Sequence, residues 1–197
     1  EMNELRKESI KSIQKNSEAE LIIITKDNLY EHLSEPLHES FQFLSYHHKS
    51  DYLRCYFMNF YGGGYSDVKP CVGSWSESFN LLKQNHDKWI CGFQEYFLHS
   101  LFHGRTDIIE KHYPQQAHQM GTQAMICRPQ TDFTKEWYKL MLCKLDSKKE
   151  QFKNSTYPIK WNEILLDIFE PLCKKYYDKI IKSLPAPDCS FQTLLNS

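Results

Sequence analysis

The chain is 197 residues long, 41% hydrophobic, with 24 Lys+Arg against 25 Asp+Glu and a formal net charge of -1. That length supports one domain with a full core, and the balanced charge excludes a nucleic-acid binder held by phosphate attraction, which needs a basic excess. No apolar run approaches the roughly 18 residues of a membrane span, the clearest being the four residues Leu21 to Ile24, and no charged-then-apolar leader pattern opens the chain.

Glu1 ahead of Met2 reads as a tag remnant, so the natural start is expected to be altered or missing. The seven cysteines (55, 71, 91, 127, 143, 173 and 189) are widely spaced and form no C-x-x-C pair. They are expected to be reduced, mostly buried thiols of a cytoplasmic protein rather than a disulfide or zinc framework.

In chain order, Glu4 to Asn16 predicts a weakly amphipathic helix carrying Leu5, Ile10 and Ile13. Leu21 to Thr25 is short, apolar and β-branched, as in a strand buried on both faces of a parallel sheet. A helix is predicted from Ser50, with Ser50 as N-cap and Asp51 in the first turn. Its apolar face is Leu53, Tyr56, Phe57, Phe60 and Tyr61. Gly62-Gly63-Gly64 ends it, since glycine alone takes left-handed angles without strain.

Ser74-Trp75-Ser76-Glu77 has the form of a capping box, ahead of a helix with Trp75, Phe79 and Leu82 inward. Strands are predicted over Trp89 to Phe97 and over Ala124 to Cys127. Helices follow from Phe133 to Leu145, from Trp161 to Phe169, and from Leu172 to Leu184, the last with Pro171 in its first turn. Trp75, Trp89 and Trp137 are core residues on spacing, and the Lys148-Lys149 and Lys174-Lys175 pairs read as solvated helix faces. Pro185 to Ser197 shows little pattern.

The stretch with chemistry in it is Ser50-Asp51-Tyr52-Leu53-Arg54 followed by Tyr61-Gly62-Gly63-Gly64-Tyr65-Ser66-Asp67-Val68-Lys69. A carboxylate and a guanidinium one turn apart, a glycine corner, then Asp67 and Lys69 on one side of an extended segment suit a ligand carrying phosphates and hydroxyls. His99 and His103 lie at i, i+4 but lack the glutamate of H-E-x-x-H. With His112 and His118 they offer a weaker alternative, a metal-dependent hydrolase.

S-D-x-x-R, then G-G-x-Y-x-D, with sixteen residues from Asp51 to Asp67, resembles the donor-site signature of GT-A nucleotide-sugar glycosyltransferases. The branch is the one holding capsular polysaccharide transferases, related mannosyltransferases and the glucosylating clostridial toxins, with short bacterial and viral members. Trp89 to Glu95, Gly121 to Pro129, Thr131 to Trp137 and Tyr157-Pro158…Trp161 extend the likeness, although only Ser50 to Lys69 is specific.

The resemblance implies an α/β, GT-A-like (Rossmann-like) single domain over 1–184, with a central, mainly parallel sheet flanked by helices and a tail over 185–197. A UDP-sugar donor and a carbohydrate acceptor are implied, in glycan or polysaccharide synthesis; that no nucleic acid and no transmembrane segment are expected comes from the charge and the short apolar runs. Asp51, Arg54, Tyr65, Asp67, Lys69, Gln123 and Trp161 would bind the donor. Glu95 is the first candidate for the base that an inverting transfer needs, and Asp132 the second.

Lys69 stands where the family has the second acid of its D-x-D motif. Two readings stay open: Asp67 still holds Mn²⁺ or Mg²⁺, or Lys69 itself offsets the charge of the leaving diphosphate. A non-catalytic, glycosyltransferase-like domain that binds carbohydrate or a partner is the alternative function. Relatives carry a further strand before the one matching Leu21 to Ile24, and nothing in Glu1 to Glu20 resembles it.

Overall fold

The computed structural model describes residues 2–95, 119–153 and 156–188. It is a mixed α/β chain with an open, mixed four-stranded sheet flanked by helices. The chain divides into two compact units. One holds the described residues within Glu1–Leu21, Gly64–Ile126 and Tyr177–Ser197; the other holds those within Ile22–Gly63 and Cys127–Tyr176.

The first unit carries the sheet. Helix α1 (Glu4–Asn16) starts where the Asn3 side chain accepts the Arg6 N–H at 3.0 Å, and it turns Ile13 inward. Strand β1 (Gly63–Ser66), helix α3 (Ser76–Gln84) and strands β2 (Ile90–Gln94), β3 (Met120–Cys127) and β4 (Ile180–Lys182) follow, while helix α2 (Tyr46–Phe60) belongs to the second unit. The sheet order is β1-β3-β2-β4, and β2 pairs with β4 in parallel, Ile90 opposite Ile180 and Gly92 opposite Lys182. Phe93 lies across Gly121 and Met120 across Gly92, where any Cβ would collide, so these two glycines let β2 and β3 carry large neighbours. Ile13, Cys71, Trp75, Leu82, Cys91, Phe93, Ala124, Ile126 and Leu184 form one buried cluster, with Leu21, Phe79 and Ile181 against it.

Three expectations in this unit need correction. The predicted helix Leu172 to Leu184 breaks, because its Ile180-Ile181 pair joins β2 as an edge strand, a role suited to β-branched side chains. The capping box does not form: the Ser74 hydroxyl accepts the Ser76 N–H at 3.1 Å and donates to Glu18 at 2.7 Å, and α3 has no side-chain cap at Trp75. Gln123 lies inside β3, which begins earlier than Ala124.

The second unit is helical. Helix α2 (Tyr46–Phe60) begins at Ser45, whose hydroxyl accepts the His48 N–H at 3.3 Å. Ser50 is therefore not its N-cap, and Asp51 sits in the helix body. The buried residues run nearly round the helix (His48, Asp51, Tyr52, Arg54, Cys55, Tyr56, Met58 and Asn59), whereas Tyr61 is 52% exposed and Leu53, Phe57 and Phe60 are half-buried. The expected single stripe fails because tyrosines serve two ends at once. Tyr56 buries its ring while its hydroxyl accepts the Ser34 and Glu35 N–H groups, and the Tyr52 hydroxyl accepts that of His38. At the far end Gly62, with φ of 66°, gives its N–H to Phe57 O at 3.0 Å and closes the helix as expected.

Helix α4 (Asp132–Lys148), capped by Thr131, buries Phe133, Trp137, Met141 and Leu145. Helix α5 (Leu166–Lys175) packs on it through Phe169, whose ring meets Trp137 with centroids 4.8 Å apart. Pro171 lies inside α5 rather than in a first turn, and Trp161 to Leu165 forms turns instead of helix.

The predicted strand Leu21 to Thr25 is also absent. Ile22 is 62% and Ile23 43% exposed, and the Asn28 side chain accepts the Thr25 N–H and donates to Ile23 O. Those local bonds take the groups a ladder would use.

Cys55, Cys71, Cys91, Cys127 and Cys173 are buried free thiols and Cys143 an exposed one. Among the described residues no helix is long and apolar enough to cross a membrane.

Candidate functional site

In the sheet unit, β1 runs into the segment that carries Asp67 and Lys69. The Tyr65 hydroxyl donates to Asp67 Oδ1 at 2.7 Å, and the Asp67 N–H donates to the Gln123 carbonyl of β3, also at 2.7 Å. The Lys69 N–H returns to Asp67 O at 2.7 Å, a tight turn that sets Lys69 beside its neighbour. Glu95 directly follows β2 and is half-buried. Burial pushes its carboxyl above the usual glutamate range, and the Lys69 charge pulls the other way. Lys182 ends β4 and donates to the Gln94 side chain, whose amide in turn donates to Gln119 O at 3.1 Å. Polar and charged groups thus collect past the carboxyl ends of the parallel pair β2 and β4, where open α/β sheets bind ligands.

Tyr65, Asp67 and Gln123 are brought together by these bonds, and Lys69 and Glu95 by their charges. A hard dication such as Mn²⁺ or Mg²⁺ needs several oxygen ligands. Asp67 offers one carboxylate, already accepting the Tyr65 hydroxyl, and an ammonium follows two residues later. That donor set does not by itself fit such an ion.

In the helical unit, Asp51 and Arg54 are 1% and 5% exposed, with Arg54 Nη1 3.4 Å from Asp51 Oδ1. His47 Nε2 lies 3.3 Å from Asp51 Oδ2. The indole of Trp161 is 68% exposed yet stacks flat on the His47 ring, centroids 3.7 Å apart and planes 9° from parallel. Asp132 is exposed in the first turn of α4, where a carboxylate complements the helix dipole.

His47 escaped the sequence reading for a simple reason. A helix begun at Ser50 leaves His47 in a loop, whereas one begun at Ser45 sets it four residues before Asp51 on the same face. His47, His48 and Asp51 place ligand-type atoms within 4.8 Å of one another. His48, however, has both ring nitrogens occupied: Nδ1 faces the Tyr157 hydroxyl at 2.7 Å and Nε2 the Trp161 carbonyl at 3.4 Å. It braces the loop on α2. The four histidines 99, 103, 112 and 118, and with them the hydrolase alternative, lie outside the described residues.

No protein-family model matches the chain, and neither the curated proteins nor the solved structures include a significant match.

Proposed function

We propose that the chain is a nucleotide-sugar glycosyltransferase, taking a UDP-sugar donor and a carbohydrate acceptor. The observation that carries this reading is the grouping of motif residues around Asp67, with Tyr65, Gln123 and Lys69 held by short bonds and Glu95 within reach of the Lys69 charge. Asp67, an acceptor-only carboxylate, suits ribose or sugar hydroxyls. Asp51, Arg54 and Trp161 are donor contacts on the motif likeness.

In an inverting transfer the acceptor oxygen bonds to the anomeric carbon as that carbon's bond to the diphosphate oxygen breaks. The acceptor proton passes to Glu95 and the bonding pair leaves with the nucleotide diphosphate. A carboxyl group shifted upward is a better base for that proton than an ordinary glutamate. The Lys69 ammonium offsets the charge that develops on the leaving group, the task a divalent ion would otherwise perform. The Lys69 ammonium, two residues from Asp67 where the motif has its second acid, is what favours this reading over Mn²⁺ or Mg²⁺.

Calorimetry with UDP and a panel of UDP- and GDP-sugars, with and without Mn²⁺, tests the proposal. Expected is metal-independent UDP-sugar binding that Lys69→Ala abolishes. No binding under either condition overturns it. The substitution of Lys69 for an acid also suits the non-catalytic alternative, and donor hydrolysis separates the two, because a purely binding domain releases no free sugar.

A further inference from the structure

Trp161 presents a problem of restraint. Its ring is 68% exposed, so burial contributes little to holding it, and stacking on one imidazole is a weak tether. The ring nonetheless lies flat on His47. What fixes it must act through the backbone of its turn.

We propose that Glu163 is the positioning residue that sets Trp161 against His47, beside the buried Asp51–Arg54 pair. Glu163 is only 8% exposed although it is charged. Its Oε2 accepts the Lys160 N–H at 3.0 Å, and its own N–H donates to Lys160 O at 3.0 Å. These reciprocal bonds close the turn around Trp161 and Asn162.

The other oxygen, Oε1, faces Lys148 at 3.2 Å and Lys144 at 3.7 Å, one turn apart on α4, so the closed turn is tied to a long helix. Lys148, expected on a solvated face, is therefore an anchor. On the opposite side the Trp161 carbonyl meets His48 Nε2, and the Tyr157 hydroxyl accepts the Ser45 N–H at 3.1 Å while bonding His48 Nδ1. These bonds fix the backbone from which the indole projects, at the distance and angle from which it reaches His47. Burial acts to raise the Glu163 carboxyl, but the Lys160 amide and the two ammonium groups outweigh it and hold the group below its ordinary range.

Positioning of the ring follows from contacts within the helical unit; its relevance to a donor rests on the proposed function. The test therefore reads the ring first. A stacked indole shifts the His47 ring protons upfield in NMR spectra, assigned with His47→Gln and referenced to Trp161→Leu, which removes the stack. Glu163→Ala is expected to abolish that shift. Glu163→Gln, which keeps an acceptor for the Lys160 N–H but loses the charge, and Lys148→Met, which keeps the carboxylate but removes its partner cation on α4, are each expected to lose about half of it.

A His47 shift unchanged in Glu163→Gln and Lys148→Met overturns the proposal even if Glu163→Ala fails to fold. UDP-sugar affinity is scored separately and is expected to fall about tenfold in Glu163→Gln, since small misplacements of contact groups are costly. If the stack is lost and affinity stays, the positioning role stands and Trp161 is not a donor contact.

Discussion

Glu95 shows how one side chain's surroundings become a pH dependence. Burial raises its carboxyl, and the Lys69 ammonium only partly opposes this. The folded chain thus holds that proton more tightly than the unfolded chain. The stabilisation is fully present below the ordinary glutamate range, about 4.3, and is lost as pH rises through the raised value. Glu95→Gln is therefore expected to gain stability relative to wild type as pH increases from 4 to 7 in urea titrations; parallel curves would contradict the burial argument. If Glu95 is the base, the same variant loses 10²- to 10⁴-fold in kcat/KM, and the acid limb of the wild-type profile lies above the usual glutamate range. Motif spacing made Asp67 and Lys69 legible, whereas the Tyr65 bond and the Glu95–Lys69 coupling come from a turn and a strand end that no local pattern joins.

At the scale of elements, helix α2 is the instructive case. Its end was legible because three glycines are a backbone signal, and Gly62 takes the left-handed φ that signal implies. Its start was not, because Ser45 and Ser50 are equally good caps on composition and only the fold chooses. The choice is testable. Ser45→Ala removes the acceptor of the His48 N–H and is expected to cost about 1 kcal/mol, while Ser50→Ala, in the helix body, stays within about 0.5 kcal/mol of wild type. Comparable losses at both sites in denaturant unfolding would contradict the observed start. The Leu21 to Thr25 segment teaches the converse lesson. Its apolar run has strand chemistry, but a nearby Asn side chain satisfies the backbone first.

At the scale of the whole chain, each of the two units buries an aromatic cluster of its own among the described residues. Trp75 lies in the buried cluster of the sheet unit, and Trp137, fully buried, meets the rings of Phe133 and Phe169 in the helical unit. Truncating either indole, Trp75→Ala or Trp137→Ala, is expected to cost about 3–5 kcal/mol. Trp137→Phe is expected to cost much less, because the Trp137 Nε1–H is buried without a hydrogen-bond partner among the described residues, and removing it relieves that penalty. A loss from Trp137→Phe as large as that from Trp137→Ala, measured by urea unfolding, would refute this. Local pattern alone determined α1, the Ile90–Gln94 part of the predicted strand Trp89 to Phe97, the core of β3, α4 and the glycine stop after α2; Tyr96 and Phe97 lie outside the described residues. Periodicity and turn residues act within a few positions, so those elements needed no distant partner. Tertiary structure alone decided that Ile180-Ile181 is an edge strand, that Ile22 and Ile23 face solvent, and that Glu163 ties the Trp161 turn to α4. The edge strand and the Glu163 tie join groups far apart in the chain, and at Ile22 and Ile23 the Asn28 side chain competes with a ladder for the same backbone groups; such competition is settled only when the chain is folded.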